Sequence, residues 1–217
     1  MLAAPAALSK LNELEASLNT AIRGKPEVVR LSTVCLLARG HLLIEDVPGV
    51  GKTTLAQAMA RAVHSRFHRL QFTSDMLPSD VLGVTIYNAH SQEFEFKPGP
   101  IFTNFLLADE INRATPKTQS ALLEAMQEHQ VTAGGELRKL VEPFFVMATQ
   151  NPIDQEGTYP LPEAQLDRFF FKILVGYPSA SELTEVLTRT TTGVRVEVQK
   201  VLERDALMEL MKLVREV

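Results

Sequence analysis

A short glycine-rich run is the first feature of this sequence that can do chemistry. Gly49, Val50, Gly51, Lys52 and Thr53 follow one another between an apolar run and a segment of helical periodicity. Phosphate oxygens need several backbone N–H donors that converge on one point, and glycine leaves room for that approach. The lysine then reaches the β- and γ-phosphates, and the threonine hydroxyl is a ligand for Mg²⁺. The run therefore predicts a site for the phosphates of a nucleotide.

One position departs from the usual phosphate-loop pattern G-x-x-x-x-G-K-[ST]. Asp46 stands where the pattern has its first glycine, and Glu45 precedes it. Aspartate tolerates left-handed backbone geometry better than most residues, so we expect the turn to close. An acidic pair beside a triphosphate is electrostatically unfavourable unless both side chains point away from it.

Two adjacent carboxylates, Asp109 and Glu110, follow the apolar run at residues 105–108. Hydrolysis of a bound triphosphate needs an acid that holds the metal and a base that activates water, both at the end of a neighbouring strand. We assign Asp109 to the metal, directly or through water, and Glu110 to the polarisation of the attacking water. Such a pair is often only a strand end. Its position after the phosphate loop, with room for a helical crossover and a hairpin, favours the functional interpretation.

Two further polar residues stand beside predicted strands. Asn151 belongs to the polar residues that follow the apolar run at residues 144–148, where an amide can orient the lytic water or touch the γ-phosphate. Taken alone, the Asn151-Pro152 pair is simply a turn. Arg168 stands just before the last apolar run, and without the other motifs a surface arginine at a helix end is the better interpretation.

The elements that must position these residues alternate along the chain. Apolar spacing predicts helices that end near Gly24, run from Pro26 to about Ala38, follow Lys52, and run from Thr115 to about His129. Short apolar runs predict buried strands at residues 41–45, 69–72, 105–108, 144–148 and 169–175. Strands of this kind, separated by helices, indicate a mostly parallel sheet that is covered on both sides.

Two stretches interrupt this rhythm, and the character of the chain changes after Pro178. Residues 84–96 and 130–141 alternate polar and apolar side chains around turn sequences, which predicts two β-hairpins. Residues 179–190 and 204–217 read as helices, the last without a capping signal. We therefore predict a nucleotide-binding core over residues 1–178 and the beginning of a truncated helical lid over 179–217.

Composition restricts the class of protein further. The 217 residues are 45% hydrophobic and 22% charged with a net charge of −4, which fits one α/β domain with an appendage and argues against a surface built for a nucleic-acid backbone. The lone Cys35 excludes an intrachain disulfide, and we expect it to be buried in a cytoplasmic protein. No uncharged stretch reaches the roughly 18 residues of a membrane span. His64 and His68 lack a third metal ligand, so we interpret them as a helix terminus.

In this order the motifs resemble the MoxR family of AAA+ ATPases over about residues 20–190. The resemblance rests on the segments Ile22–Gly24, Gly40–Thr53, Asp109–Ala114, Ala148–Pro152 and Gly157–Phe169. The last is the most family-specific, because generic phosphate-loop proteins lack it. The resemblance implies an α/β fold, the αβα sandwich of AAA+ proteins, with a five-stranded parallel sheet, two β-hairpin inserts and a C-terminal helical lid. It also implies a hexameric ring with ATP between neighbouring subunits.

The resemblance assigns roles to individual residues. Ile22 and Gly24 become contacts on the adenine side of ATP, and Asp109 and Glu110 become the Walker B pair. Asn151 becomes sensor 1. The Walker A loop comprises Gly49, Val50, Gly51, Lys52, Thr53 and Thr54.

Other implied roles reach beyond the subunit itself. Arg168 matches the arginine finger that completes the next subunit's site, and Arg113 is a second candidate for a contact in trans. The hairpins match the helix-2 insert and the pre-sensor-1 insert, which usually face the pore of the ring. The sensor-2 arginine is expected beyond Val217, so we expect hydrolysis by this chain alone to be impaired.

The function implied is that of an ATP-hydrolysing, chaperone-like remodeller that assists the assembly or metal-cofactor maturation of protein complexes. It takes ATP and Mg²⁺, a protein client, and often a von Willebrand factor A domain protein as partner. Two alternatives stay open. Helicase loaders and minichromosome maintenance ATPases share both inserts, although Glu93 and Glu95 make the first hairpin acidic. A non-hydrolysing, nucleotide-dependent binding module is the other, and Glu110 argues against it.

Overall fold

The computed structural model describes residues 4–22, 24–46, 51–151, 157–175 and 198–216. The helices are α1 (Ala4–Ala21), α2 (Pro26–Leu37), α3 (Lys52–Ala62), α4 (Pro78–Leu82), α5 (Pro116–Glu128), α6 (Glu163–Leu166) and α7 (Arg204–Glu216). The strands are β1 (Leu42–Asp46), β2 (Phe67–Gln71), β3 (Gly83–Asn88), β4 (Glu93–Pro98), β5 (Phe105–Asp109), β6 (Gln130–Ala133), β7 (Glu136–Lys139), β8 (Phe145–Gln150) and β9 (Phe171–Val175). A 3₁₀ turn spans Ile111–Arg113.

Five of the strands form one sheet in the order β2-β5-β8-β1-β9, and every neighbouring pair is parallel. The predicted parallel sheet is thus confirmed. All five strands end at the same edge, which we call the carboxyl edge, and begin at the opposite, amino edge. Since β8 lies between β5 and β1, two strand spacings, or about 10 Å, separate the end of β5 from the end of β1.

Neighbouring residues of the central strands enter two different apolar cores. In β1, Leu42 and Ile44 pack with the cluster of α1, α2 and α3, whereas Leu43 packs with the cluster of α5. The period of two along a strand requires this division when both faces of a sheet are covered. Cys35 is fully buried in the first core, and burial raises the pKa of its thiol to about 12.

Both predicted hairpins are present. β3 pairs with β4, and β6 pairs with β7, each in antiparallel register. The two hairpins also contact each other, because the Arg138 guanidinium lies 3.9 Å from the centroid of the Phe96 ring. Gly134, at a φ of 64°, lies so close to Thr85 that a Cβ there would collide with the threonine hydroxyl. The hairpins are therefore packed side by side on the sheet's α5 face.

The interpretation of the two histidines as a helix terminus is wrong for His68. The chain turns at His64, whose φ is 47°, and His68 lies in β2. The two imidazoles therefore do not share a helix face. Within the described ranges, no group of three or more His, Cys, Asp or Glu residues is arranged to hold a metal ion.

The last described helix packs on one face of the parallel sheet. Leu207, Leu210 and Met211 of α7 are buried in the same apolar cluster as α2 and α3. The predicted helix at residues 179–190 and the boundary at residue 178 lie outside the described residues, so the division into core and lid stays a prediction. No helix in the described part of the chain is long and apolar enough to cross a bilayer.

His41 is a buried polar side chain at the amino edge of the sheet, 4% exposed. Its Nδ1 accepts a hydrogen bond from the Val146 N–H at 3.0 Å, so the neutral ring donates from Nε2 to the Met126 carbonyl oxygen at 3.1 Å. Burial, together with a smaller contribution from the nearby His129, lowers the pKa of His41 from 6.5 to about 4, although the hydrogen bond to Met126 opposes the shift. The folded protein thus holds this imidazole neutral where an exposed one takes up a proton.

This arrangement predicts a pH-dependent stability. Because the pKa of His41 is lower in the folded than in the unfolded chain, its contribution is fully present above pH 6.5 and is lost as the pH falls towards 4. The loss should amount to about 3 kcal/mol of unfolding free energy. His41→Gln keeps one donor and one acceptor but does not titrate. When both proteins are unfolded in urea between pH 7 and 4, the free energy of unfolding should decline less in the variant. An equal decline in both proteins would contradict the assignment.

Candidate functional site

The predicted phosphate loop leads from β1 to α3 at the carboxyl edge. Gly51 is the N-cap of α3 and has a φ of 86°, in the left-handed region that favours glycine. A Cβ at Gly51 would meet nothing within 4 Å, so the backbone conformation rather than lack of space calls for glycine. Lys52, Thr53 and Thr54 form the first turn of α3, beside the positive end of the helix dipole.

The acidic residue before the loop has its own counterion. Glu45 forms an ion pair with Lys172 of β9 and accepts a hydrogen bond from the Gln150 amide at 3.3 Å. The charge of Glu45 is therefore balanced within the sheet. Of the two acids that the sequence places beside the phosphate site, Glu45 thus has a counterion of its own. Outside the described part of the chain lie the side chain of Asp46 and the loop residues Gly49 and Val50.

A small pocket lies beside the described end of the loop. Ile22, which is 8% exposed, lines it together with Ile44, Gly51, Lys52, Leu55 and Val175. The end of α1 thus lies against the first turn of α3, as an adenine-side contact requires. Gly24 follows Ile22 by two residues with a φ of 75°. Contact of either residue with adenine stays a prediction.

A buried hydroxyl connects the two predicted Walker B carboxylates. Thr149 of β8 is fully buried and donates a hydrogen bond to Asp109 Oδ1 at 2.6 Å. The Thr149 hydroxyl oxygen itself accepts the backbone N–H of Glu110 at 2.8 Å. Glu110 has a φ of 56°, a left-handed conformation that is rare for a non-glycine residue. The hydroxyl therefore fixes the carboxylate of Asp109 and the strained backbone of Glu110 together.

The carboxylate of Asp109 is also paired with an arginine on the neighbouring strand. Arg69 of β2 donates from Nε at 3.1 Å and from Nη2 at 2.6 Å, both to Asp109 Oδ2. Asp109 is only 7% exposed, and burial of a carboxylate is costly unless the group is paired and hydrogen-bonded. Arg69 and Thr149 therefore hold opposite oxygens of one carboxylate.

Glu110 is held at one of its oxygens by two polar side chains. Gln71 of β2 donates its amide to Glu110 Oε2 at 2.8 Å, and Arg113 Nη1 lies 3.2 Å from the same oxygen. Gln71 in turn accepts a hydrogen bond from Arg69 at 3.1 Å, so the two acids belong to one network. Arg113 thus contacts the carboxylate of its own chain, and its role in trans stays a prediction.

The structure brings Asn151 to the same edge but leaves Arg168 at the other. The backbone oxygen of Asn151 accepts the Asn112 amide at 3.3 Å, which ties the end of β8 to the turn after Glu110. Arg168 donates from Nε to Gln127 at 3.1 Å, near the end of α5. Two residues later, Phe170 donates its N–H to the His41 oxygen, just before β1 begins. Arg168 therefore lies at the amino edge, away from its own phosphate loop.

The donor atoms at the carboxyl edge fit Mg²⁺ in their chemistry. Mg²⁺ takes oxygen ligands, and Thr53 and Asp109 provide a hydroxyl and a carboxylate. The described contacts of Asp109 use three of its roughly four lone-pair positions, which leaves one on Oδ1 for the metal or for a metal-bound water.

Sequence reasoning missed the residues that orient the two acids. Arg69 and Gln71 were included only in a predicted strand, although their spacing of two residues puts both on one face of it. Thr149 lies within the segment Ala148–Pro152, but the sequence alone assigns it no role. A signal was available, since a strand with two polar side chains on one face, beside a pair of acids, is unusual for a buried sheet.

Comparison with known proteins agrees with this geometry. A family model described as "ATPase family associated with various cellular activities (AAA)" matches residues 41–171. Protein YeaC of Bacillus subtilis, which is uncharacterised, is 60% identical over 171 residues, covering 79% of this chain and 53% of the relative. Chaperone MoxR1 of Mycobacterium tuberculosis is 54% identical over 168 residues, covering 77% of this chain and 45% of the relative.

Among solved structures, a proposed ATPase from Cytophaga hutchinsonii is 43% identical and superposes with a TM-score of 0.88, covering 97% of this chain and 64% of that chain. The chain spans about half the length of the curated relatives that it matches. The family model, the named relatives and the shared fold all point to one family of ATPases. The chain belongs to the MoxR family of AAA+ ATPases.

Proposed function

We propose that this chain binds ATP with Mg²⁺ and hydrolyses it as one subunit of a ring that remodels protein partners. One observation carries the proposal: Thr149 fixes Asp109 and Glu110 together at the carboxyl edge, two strand spacings from the phosphate loop. A glutamate held beside an aspartate that can hold Mg²⁺ brings together the base and the metal ligand that activation of water requires.

Each residue of the site has a defined task in this proposal. Lys52 and the N–H groups at the start of α3 bind the phosphates, and Thr53 and Asp109 hold Mg²⁺, which neutralises charge on the phosphate oxygens. Gln71 and Arg113 occupy Oε2 of Glu110, so we assign the Oε1 side to the attacking water. Asn151 orients that water from the end of β8.

The position of Arg168 supports a composite site. It lies at the amino edge, and it cannot approach the phosphate loop of its own chain without leaving the Gln127 contact and the start of β9. An arginine that completes the site of a neighbouring subunit needs such a place on the outer surface. We therefore propose a hexameric ring in which Arg168 stabilises the transition-state charge on a neighbour's ATP.

The proposed remodelling of proteins rests on two observations. A relative with 54% identity is named a chaperone. The β3–β4 hairpin carries Tyr87 and Phe94 with 55% and 76% of their surfaces exposed, and exposed aromatic side chains favour contact with protein over contact with phosphate. We further propose a cytoplasmic location, a protein client and a von Willebrand factor A domain partner, as the family resemblance implies.

The phosphate-binding role of Lys52 is tested by Lys52→Ala. The substitution removes the basic side chain from the start of α3 and should abolish binding of a fluorescent ATP analogue, because charge-assisted bonds to phosphate are lost. Lys117→Ala, at an exposed position of α5, is the matched control and should bind normally. Unchanged affinity in Lys52→Ala would remove the basis of the nucleotide site.

The role of Glu110 is tested by Glu110→Gln. The amide keeps the shape of the side chain but cannot accept a proton from water, so turnover should fall by about two to three orders of magnitude while ATP binding persists. Glu128→Gln at the exposed end of α5 controls for the loss of one charge. An equal loss of binding in Glu110→Gln would mean that Glu110 is structural or is itself the main metal ligand.

The composite site is tested by Arg168→Ala. Turnover per subunit of the unsubstituted protein should rise with concentration as rings assemble, while the variant binds ATP and stays about a thousandfold slower throughout. Arg30→Ala, an exposed arginine on α2, should behave like the unsubstituted protein.

Mixed assemblies give the sharper test of the same residue. Arg168→Ala subunits mixed with Glu110→Gln subunits should regain activity at sites where an intact Glu110 meets an intact Arg168 from the neighbour. Turnover that is independent of concentration, with no recovery in the mixture, would count against action in trans and against the ring.

A further inference from the structure

Tyr159 is attached through both of its backbone polar groups, one to the turn after Glu110 and the other to α5. The N–H of Tyr159 donates to the Asn112 oxygen at 2.6 Å, and the Tyr159 oxygen accepts the Gln119 amide at 2.8 Å. Leu161, two residues later, is 8% exposed and belongs to the core on the same side of the sheet. The segment at residues 157–161 is therefore anchored to the turn Ile111–Arg113 that follows Glu110, which we call the Walker B turn.

The amide of Gln119 is the centre of this attachment. The side chain is 1% exposed, and its Nε2 also lies 3.2 Å from the Ile111 oxygen and 3.1 Å from the Ala114 oxygen. Its Oε1 is buried without a hydrogen-bond partner in the described structure, which is unfavourable in itself. The amide therefore acts as a donor, and its two N–H groups are shared among three backbone oxygens from two separate segments.

The turn that Gln119 organises belongs to the proposed hydrolytic site. Ile111 directly follows Glu110, and Asn112 donates its side-chain amide to the Asn151 oxygen. Gln119 thus contacts, through one turn, the backbone that presents the base and the backbone that carries sensor 1.

The segment that Gln119 fastens leads to the arginine at the other edge. Residues 157–168 run from the Asn112 turn through α6 to Arg168, whose guanidinium contacts Gln127. Gln119 and Gln127 lie eight residues apart on α5, about 12 Å along the helix axis. One helix therefore holds the beginning of this segment near the carboxyl edge and its end near the amino edge.

We infer that Gln119 is a positioning residue that couples the Glu110 site of one subunit to the Arg168 that the same subunit presents to its neighbour. The inference rests on the proposed function, since it requires Arg168 to act in trans. Loss of the Gln119 donor releases the Tyr159 oxygen, and the segment that carries Arg168 then loses its attachment to the Glu110 turn.

The test places the substitution in subunits that cannot hydrolyse ATP themselves. Glu110→Gln subunits serve as donors of Arg168, and Arg168→Ala subunits serve as acceptors with an intact Glu110. Donors that carry Gln119→Leu in addition should lower the turnover of the mixture about tenfold relative to plain donors, because a small displacement of a charge-stabilising group costs one to two decades. Donors with Glu124→Gln, an exposed position on α5, should change nothing.

The readout separates positioning from folding, because no hydrolysing subunit in these mixtures carries the Gln119 substitution. Thermal unfolding and ATP binding of each donor confirm that it is folded, and Gln119→Met, which keeps the chain length but has no donor, replaces Gln119→Leu if that variant does not fold. Equal turnover with Gln119→Leu and plain donors would overturn the coupling. Absence of any recovery with plain donors would instead overturn the action of Arg168 in trans, on which the coupling rests.

Discussion

The site depends on one buried hydroxyl between two parallel strands. Thr149 donates to Asp109 and accepts the N–H of Glu110, so a single oxygen sets the direction of both acids. The left-handed backbone at Glu110 costs on the order of 1–3 kcal/mol and persists only where its surroundings hold it. Without that conformation, Glu110 would continue the alternation of β5 and point away from Asp109 into the opposite layer. The hydroxyl therefore allows the carboxylates of two consecutive residues to lie together at the carboxyl edge.

Charge balance across the sheet explains how so many acids are accommodated at its carboxyl edge. Arg69 compensates Asp109 from β2, and Lys172 compensates Glu45 from β9. Each cation sits on a strand adjacent to that of its acid, so the pairs are fixed by strand order. Because these acids are paired, the carboxyl edge can accept the phosphates of a nucleotide even though acidic residues end β1 and β5.

The parallel sheet, the hairpins, the buried cysteine and the glycine turn into α3 at Gly51 could be predicted because each has a local signature. Continuous apolar runs indicate doubly covered strands, and a glycine-rich run after such a strand is typical of a turn into a helix. The binding of phosphate at that turn stays a prediction. The roles of Arg69, Gln71 and Thr149 could not be predicted, since each depends on the order of strands in space. The position of His68 in a strand could not be predicted, because the spacing of four residues from His64 fits a helix and local periodicity does not reveal the turn at His64.

Helix α5 connects the two edges of the sheet. It begins beside the Walker B turn, where the amide of Gln119 donates to backbone oxygens. It ends beside Arg168, where Gln127 accepts a hydrogen bond from the guanidinium. A helix of this length is stiff and is packed along one side in the α5 core, so it transmits displacement rather than absorbing it. The β6–β7 hairpin follows α5 directly and packs against β3–β4 through Arg138 and Phe96. A shift of the turn after Glu110 would therefore reach both the surface that carries Arg168 and the exposed aromatic hairpin through a single rigid element.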